Sequence, residues 1–185
     1  NRNRNKATKI GQALTLFGTN GGAPVAILEG QPIGVFYGTF FATDGSGNQI
    51  KNTNGIPVTE RGIQNSPLSF TTQRDAGGLP SGSVLRKVIG DPNPDYTASL
   101  VNELQYKKLS MRLQFDAVQG VDVFNADWRT RQGVGNGKVA EQEHRGELPR
   151  GYILGIYGIE QWRIDDGSFV KLRELSFSYD FGKVK

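Results

Sequence analysis

The 185-residue chain has no cysteine, one histidine and one methionine. Without cysteine there is no disulfide framework and no thiolate metal site. A single histidine rules out the usual zinc sets. No run of about 18 apolar residues occurs, so a helical membrane span is excluded, although a span built from strands is not. Lys plus Arg number 22 against 18 Asp plus Glu. That surplus, spread along the chain, gathers no basic face, so nucleic acid is not an expected partner. What is plentiful is glycine and aromatics: 25 Gly, 8 Pro, ten Phe, six Tyr and two Trp. Glycine without a collagen period, together with this many rings, predicts a loop-rich β protein rather than a disordered tract.

Residue 1 is Asn, no signal-peptide pattern follows it, and an alternating run is still in progress close to Lys185. Together these predict a fragment of a longer protein.

Alternation is the strongest local signal. From Tyr96 to Tyr106 the even positions carry Tyr96, Ala98, Leu100, Asn102, Leu104 and Tyr106. From Leu109 to Gln119 the odd positions carry Leu109, Met111, Leu113, Phe115 and Ala117. Period two predicts two strands, and Lys107-Lys108 between them predicts a hairpin turn. Pairing about that centre sets Leu104 opposite Met111 and Leu100 opposite Phe115 on one face. On the other face it sets Glu103 opposite Arg112, a pair worth roughly 0.2–1 kcal/mol. A one-residue slip would break both faces at once. Lys-Lys suits a two-residue type I′ turn poorly, so a wider turn about the same centre is also compatible. A third run, Leu175, Phe177, Tyr179 and Phe181 against Glu174, Ser176, Ser178 and Asp180, follows the turn former Asp165-Asp166-Gly167.

The segment from Val121 to Gly167 shows no sustained period. Val139 to Glu147 has room for two helical turns, and no other helix is predicted. Such an excursion is foreign to a small soluble domain and ordinary in an outer-membrane barrel, where long extracellular loops alternate with short periplasmic turns. Both hairpin strands have the roughly 9–11 residues a tilted crossing needs. In that setting Tyr96, Tyr106 and Tyr179 suit an interfacial girdle, the apolar face meets lipid, and Glu103, Arg112, Gln114 and Asp116 line a wet lumen. The alternative is a soluble β-sandwich, a carbohydrate- or protein-binding module, with the same apolar face packed on a second sheet. Upstream, Ile33 to Phe41 reads as a strand apolar on both faces. Asn48 to Ser83 reads as loop with a short hairpin at most. No internal repeat is found.

Four blocks then point to a family. Gly30-Gln31-Pro32-Ile33-Gly34-Val35-Phe36-Tyr37-Gly38, Ile89-Gly90-Asp91-Pro92-Asn93-Pro94-Asp95-Tyr96-Thr97, Gln119-Gly120-Val121-Asp122-Val123-Phe124-Asn125 and Asp165-Asp166-Gly167-Ser168-Phe169-Val170-Lys171-Leu172-Arg173 occur in this order. In that order they resemble the C-terminal part of SusC/RagA-type TonB-linked outer-membrane transporters. The opening Asn3-Arg4-Asn5-Lys6 is similar to the end of the preceding family strand. The resemblance implies an all-β fold, a slice of a plugged barrel of about 22 strands, with the plug and most strands elsewhere. It also implies import of oligosaccharides or oligopeptides across a Gram-negative outer membrane. The expected partners are a SusD-like surface lipoprotein, TonB through an upstream segment, and outer-membrane lipid. Leu79 to Lys87 stands where many members carry an Asp-rich, calcium-loop-like stretch, which argues against calcium.

No catalytic set emerges. Asp44, Ser46 and Asn48 resemble the start of a calcium loop, but Gln49 and Gly55 occupy the places that want glycine and glutamate, so a turn is expected. Gly133, Gly135, Gly137 and Lys138 lack the Ser or Thr, the strand and the helix of a phosphate loop. His144 with Glu141, Glu143 and Glu147 reads as a solvated charged surface. No enzyme, cofactor or metal is expected. Trp128, Tyr152, Tyr157 and Trp162, all in the second long segment, are candidates for stacking on ligand or lining a partner interface. Otherwise they pack the loop on itself or on the barrel rim.

Overall fold

A computed structural model describes residues 2, 5–11, 14–17 and 24–182. The architecture is mostly antiparallel strand. β1 (Leu14–Phe17), β2 (Pro24–Ile27), β3 (Val35–Thr39) and β7 (Arg86–Gly90) form one four-stranded sheet. β4 (Arg61–Ser66), β5 (Ser69–Thr72) and β6 (Ser83–Val84) form a second. β3 is buried along its whole length, as its two apolar faces predict, and Ala26, Leu28, Val35 and Tyr37 make one of the cores.

The segment predicted as loop between Asn48 and Ser83 is more ordered than that, because one turn is used three times. Asp44 Oδ1 accepts from the N–H groups of Ser46 (2.8 Å) and Asn48 (2.9 Å). Asn52 Oδ1 accepts from Asn54 and Ile56 (both 3.0 Å), and Asp75 Oδ1 from Gly77 and Leu79 (both 2.9 Å). The fourth residue of each turn is a glycine at positive φ, Gly47, Gly55 and Gly78, where a Cβ would be strained. Asp44 is therefore a turn residue, and its carboxylate is held below the usual range, chiefly by the Asn48 amide, then by the Asn48 side chain and Ser46. A depressed carboxylate contributes stability above its unfolded value of about 3.9, lost as pH falls through the lower folded value. Amide exchange of Ser46 and Asn48 is expected to accelerate below about pH 4 relative to the intrinsic rate. Asn52 cannot titrate, so the Asn54 and Ile56 amides should stay flat, and equal acceleration in both turns would refute the assignment.

The wall of the molecule is a three-stranded sheet in the order β12-β9-β8, made of β8 (Tyr96–Tyr106), β9 (Leu109–Gln119) and β12 (Phe169–Tyr179), each 11 residues long. The β8–β9 register is the predicted one throughout, including Leu100 opposite Phe115 and Glu103 opposite Arg112. The turn has two residues, Tyr106 pairing with Leu109, but it is not type I′: Lys107 takes a φ of +53° while Lys108 stays out of the positive region, so only one of the pair adopts the conformation a side chain disfavours. β12 starts earlier than its alternation suggests. A bulge between Leu172 and Glu174 resets parity, so Val170 and Leu172 above it share a face with Leu175, Phe177 and Tyr179 below it. Phe181 lies past the strand end. Arg2 bridges to Tyr96 on the open side of β8, where a preceding strand would run, while Asn3 and Arg4 lie outside the described residues.

The apolar face of this sheet is uncovered. Leu100 is 62% exposed, Leu104 55%, Tyr106 71% and Phe177 65%, and among the described residues no second sheet lies over them. That is the opposite of what a sandwich core requires. No described helix is long and apolar enough to cross a membrane.

The segment between β9 and β12 corrects the expectation of little helix. A short ladder of β10 (Asp122–Phe124) with β11 (Ile164–Asp166) closes a loop holding α1 (Ala126–Gly133), α2 (Lys138–His144), α3 (Tyr152–Ile156) and a 3-10 turn at Gln161–Arg163. The helices were hard to read because each spans one or two turns and is set by tertiary contacts. Glu143 accepts from the Gly151 and Ile153 amides (2.7 and 2.9 Å) at the start of α3, and Gln132 Oε1 accepts from the Ala140 amide (2.9 Å). Gly137, which opens α2 after Gly133 and Gly135, leaves room for the Gln132 side chain, so these glycines serve a helix-to-helix turn.

Candidate functional site

The face of the wall opposite the apolar one is a connected polar surface. Its residues alternate with the apolar set because successive strand side chains point to opposite faces. Arg112, mid-strand on β9, bridges its neighbours: Nη1 bonds Glu103 on β8, and Nε bonds Glu174 Oε2 on β12 at 3.0 Å. One guanidinium thus ties three strands, using the fixed fork of its donors. Two same-face pairs up the strand, Asp116 gathers Ser99 (2.6 Å), Gln114 (3.2 Å) and Arg173 (3.0 Å). Lys171 places its ammonium 4.5 Å from the centre of the Phe169 ring.

The four predicted wall residues, Glu103, Arg112, Gln114 and Asp116, therefore lie together. Sequence reasoning set Glu174 on the polar side of the third run but did not name it, Ser99, Lys171 or Arg173 as candidates on this face. For Lys171 and Arg173 the bulge hid the parity; the signal was two apolar sets, Val170/Leu172 and Leu175/Phe177, that disagree in phase. Replacing Arg112 by methionine removes both interstrand pairs and leaves Glu103 and Glu174 as unpaired like charges on either side of β9. We expect a loss of about 1 kcal/mol, since these groups remain solvated, and restoration on the further change of Glu174 to glutamine. Denaturation of the intact protein measures it, and full stability of the single variant would contradict the bridge.

Above the wall, the four sequence blocks meet in one joint. Asn93 Nδ2 donates to Ile33 O (2.9 Å), and the Asp91 amide donates to Asp122 Oδ2 while the Asp122 amide donates to Asp91 O, both 2.8 Å. The Gly120 amide donates to Ser168 Oγ (3.1 Å), and Asn125 Nδ2 to Asp165 Oδ2 (3.1 Å). Phe36 and Phe124 pack with ring centres 5.9 Å apart. Gly120 has a φ of +72°, and a Cβ there would land on the Asp95 carboxylate. The blocks thus share one task, fastening the sheet of β3 and β7 and the helical loop onto the upper ends of β8, β9 and β12.

The four aromatics of the second long segment turn inward. Trp128 and Trp162 meet edge to face at 6.3 Å, Tyr157 lies under the Arg129 guanidinium at 4.9 Å, and Tyr152 packs with Trp162 on the core of Ile56, Ile156 and Ile159. Their half-buried positions match packing of the loop upon itself. His144 is exposed at the end of α2, and among the described residues no group of acidic and histidine side chains is arranged to hold a metal ion.

The chain is similar to TonB-dependent receptor P3 of Formosa agariphila, with 30% identity over 198 residues, a match covering 97% of this chain and 19% of that protein. The chain thus spans about a fifth of the length of this relative. No family model matches it.

Proposed function

We propose that the chain is a section of an outer-membrane TonB-dependent importer of the SusC/RagA type, supplying three wall strands and the extracellular lobe above them. The observation that carries this reading is the wall itself. It has three adjacent strands of crossing length, one face of uncovered Leu, Phe and Tyr, and an opposite face of hydrogen-bonded charges. A water-soluble domain leaving that apolar face open would aggregate; in a bilayer the same face is at its free-energy minimum. The similarity to a TonB-dependent receptor over nearly the whole chain supports the same class.

In this reading the mechanism involves no covalent chemistry. Cargo, an oligosaccharide or oligopeptide, is held between the extracellular lobe and a SusD-like lipoprotein. It passes along the polar wall, including Glu103, Arg112, Gln114 and Asp116, once TonB displaces the plug. The wall charges are paired with one another, so they offer hydrogen bonds to cargo without a strong net field. The test is uptake of labelled oligosaccharides and oligopeptides by intact cells with and without the gene, each with and without a protonophore. Uptake lost on deletion and on collapse of the proton gradient supports the reading. A protein that is monomeric and cooperatively folded in plain buffer, with uptake unchanged on deletion, overturns it.

A further inference from the structure

At the hairpin end of the wall the apolar face finishes in rings and then in cations. Leu109 stands opposite Tyr106 on one side and Tyr179 on the other, and the Phe181 ring, just past the end of β12, meets Tyr179 edge to face at 4.9 Å. Tyr106 is 71% exposed and Phe181 80%. Lys107 turns its side chain back over this face, with its ammonium 5.3 Å from the centre of the Tyr106 ring. Lys108, also exposed, reaches toward Gly182, where a Cβ would lie 3.6 Å from its ammonium.

Among the described residues neither ammonium forms an ion pair. Asp180, beside the turn, spends Oδ1 on the Gly182 amide (2.8 Å), and Glu103, the first carboxylate up the hairpin, is paired with Arg112. The opposite ends of these strands carry an excess of the other sign, with Asp91, Asp95, Asp122 and Asp166 at the joint outnumbering Arg2 and Lys6. The turn end is therefore where the wall presents open positive charge next to open apolar surface. Aromatic rings settle where acyl chains give way to headgroups, and a lysine just beyond them reaches phosphate while its methylenes stay on the apolar surface. A zwitterionic headgroup brings its own cation and neutralises neither lysine; an anionic one supplies the missing charge.

We propose that the Lys107-Lys108 turn, with Tyr106, Leu109, Tyr179 and Phe181, is a seat for an anionic phospholipid. Its phosphodiester lies against Lys107, Lys108 adds to the positive field along the rim, and the acyl chains run over Leu109 and Phe177. Such a seat presupposes the importer reading, which places this face in a bilayer, and it fixes which lipid gathers at the turn end.

The test puts the photoreactive residue p-benzoylphenylalanine at position 109 of the intact protein, in vesicles of equal parts phosphatidylcholine and phosphatidylglycerol, and identifies the lipid adducts by mass spectrometry. Position 177, on the same face of the neighbouring strand, takes its place if that variant does not insert. Phosphatidylglycerol adducts are expected to exceed phosphatidylcholine adducts about fivefold at low salt, the ratio equivalent to about 1 kcal/mol for one lysine beside anionic lipid. The ratio should fall toward unity at about 1 M salt, where the screening length is about 3 Å, and in the double variant Lys107→Gln with Lys108→Gln. Soluble glycerol phosphate should not compete, because it lacks the chains; competition would reveal a free-phosphate site and overturn the lipid seat. Equal adducts of the two lipids, or a preference that survives the double variant, overturn the seat and leave the wall in its bilayer. Crosslinks to protein alone, with no lipid adduct at either position, overturn the seat and the importer reading together.

Discussion

Replacing Arg74 by methionine is expected to destabilise the sheets around Glu60 by about 3–5 kcal/mol, the cost of leaving a buried charge without its partner. Glu60 lies across from buried Phe40, to whose carbonyl its amide donates at 3.0 Å, and its side chain is 3% exposed. Arg74 meets both its oxygens, Nη1 to Oε1 at 2.5 Å and Nη2 to Oε2 at 2.9 Å, while the Arg61 amide donates to Oε1. The two partners are unequal: Arg74 keeps 28% of its side chain in solvent. Removing the carboxylate as Glu60→Gln therefore leaves a cation that water can serve, and should cost about 1–2 kcal/mol. The double change Glu60→Leu with Arg74→Met should recover most of the loss. Hydrogen exchange across residues 60–85 reports the effect locally, and equal small losses for the two single variants would contradict the buried geometry.

The second large effect separates the two faces of the wall by one residue. Leu100 lies on the apolar face opposite Phe115, and Val101 on the polar face opposite Gln114. In a bilayer Leu100→Arg places a cation among acyl chains near mid-crossing and is expected to cost about 2–4 kcal/mol. Val101→Arg, pointing into water beside Gln114, should stay within about 1 kcal/mol of wild type. Equilibrium unfolding of the intact protein from phospholipid vesicles gives both numbers. Equal costs at the two positions would mean that the faces do not differ in solvent.

The wall was legible in the sequence because alternation over 11 residues on each of two strands fixes a register, and Glu103 opposite Arg112 confirms it from the other face. Where a bulge shifts phase, as at Arg173, alternation breaks and five of the eleven β12 residues are lost to the eye. The segment from Asp44 to Leu79 was less legible because its order comes from side chains capping backbone groups. The three turns share an Asp or Asn three residues before a glycine, at Asp44, Asn52 and Asp75. The turn at Asp44 was expected; its recurrence at Asn52 and Asp75 was present and unread. Of the helical loop only α2 was legible, as the two turns expected over Val139 to Glu147; α1 and α3 were not, since side chains from neighbouring elements, such as Glu143 for α3, set their ends. The four blocks were recognised as a series before the structure gave them a shared location; Asn93 bonding Ile33 across sixty positions is contact information that no local window holds.

The importer reading depends on the solvent of the face carrying Leu100, Leu104 and Phe177. With no native cysteine in the chain, single cysteines at positions 99 to 106 of β8 can be spin-labelled in the intact protein in bilayers and their collisions with oxygen and with a water-soluble nickel chelate compared. The account predicts strict alternation, with oxygen favoured at 100, 102 and 104 and the chelate favoured at 99, 101, 103 and 105. Labels at 100 and 104 shielded from both reagents would show protein over that face and contradict it.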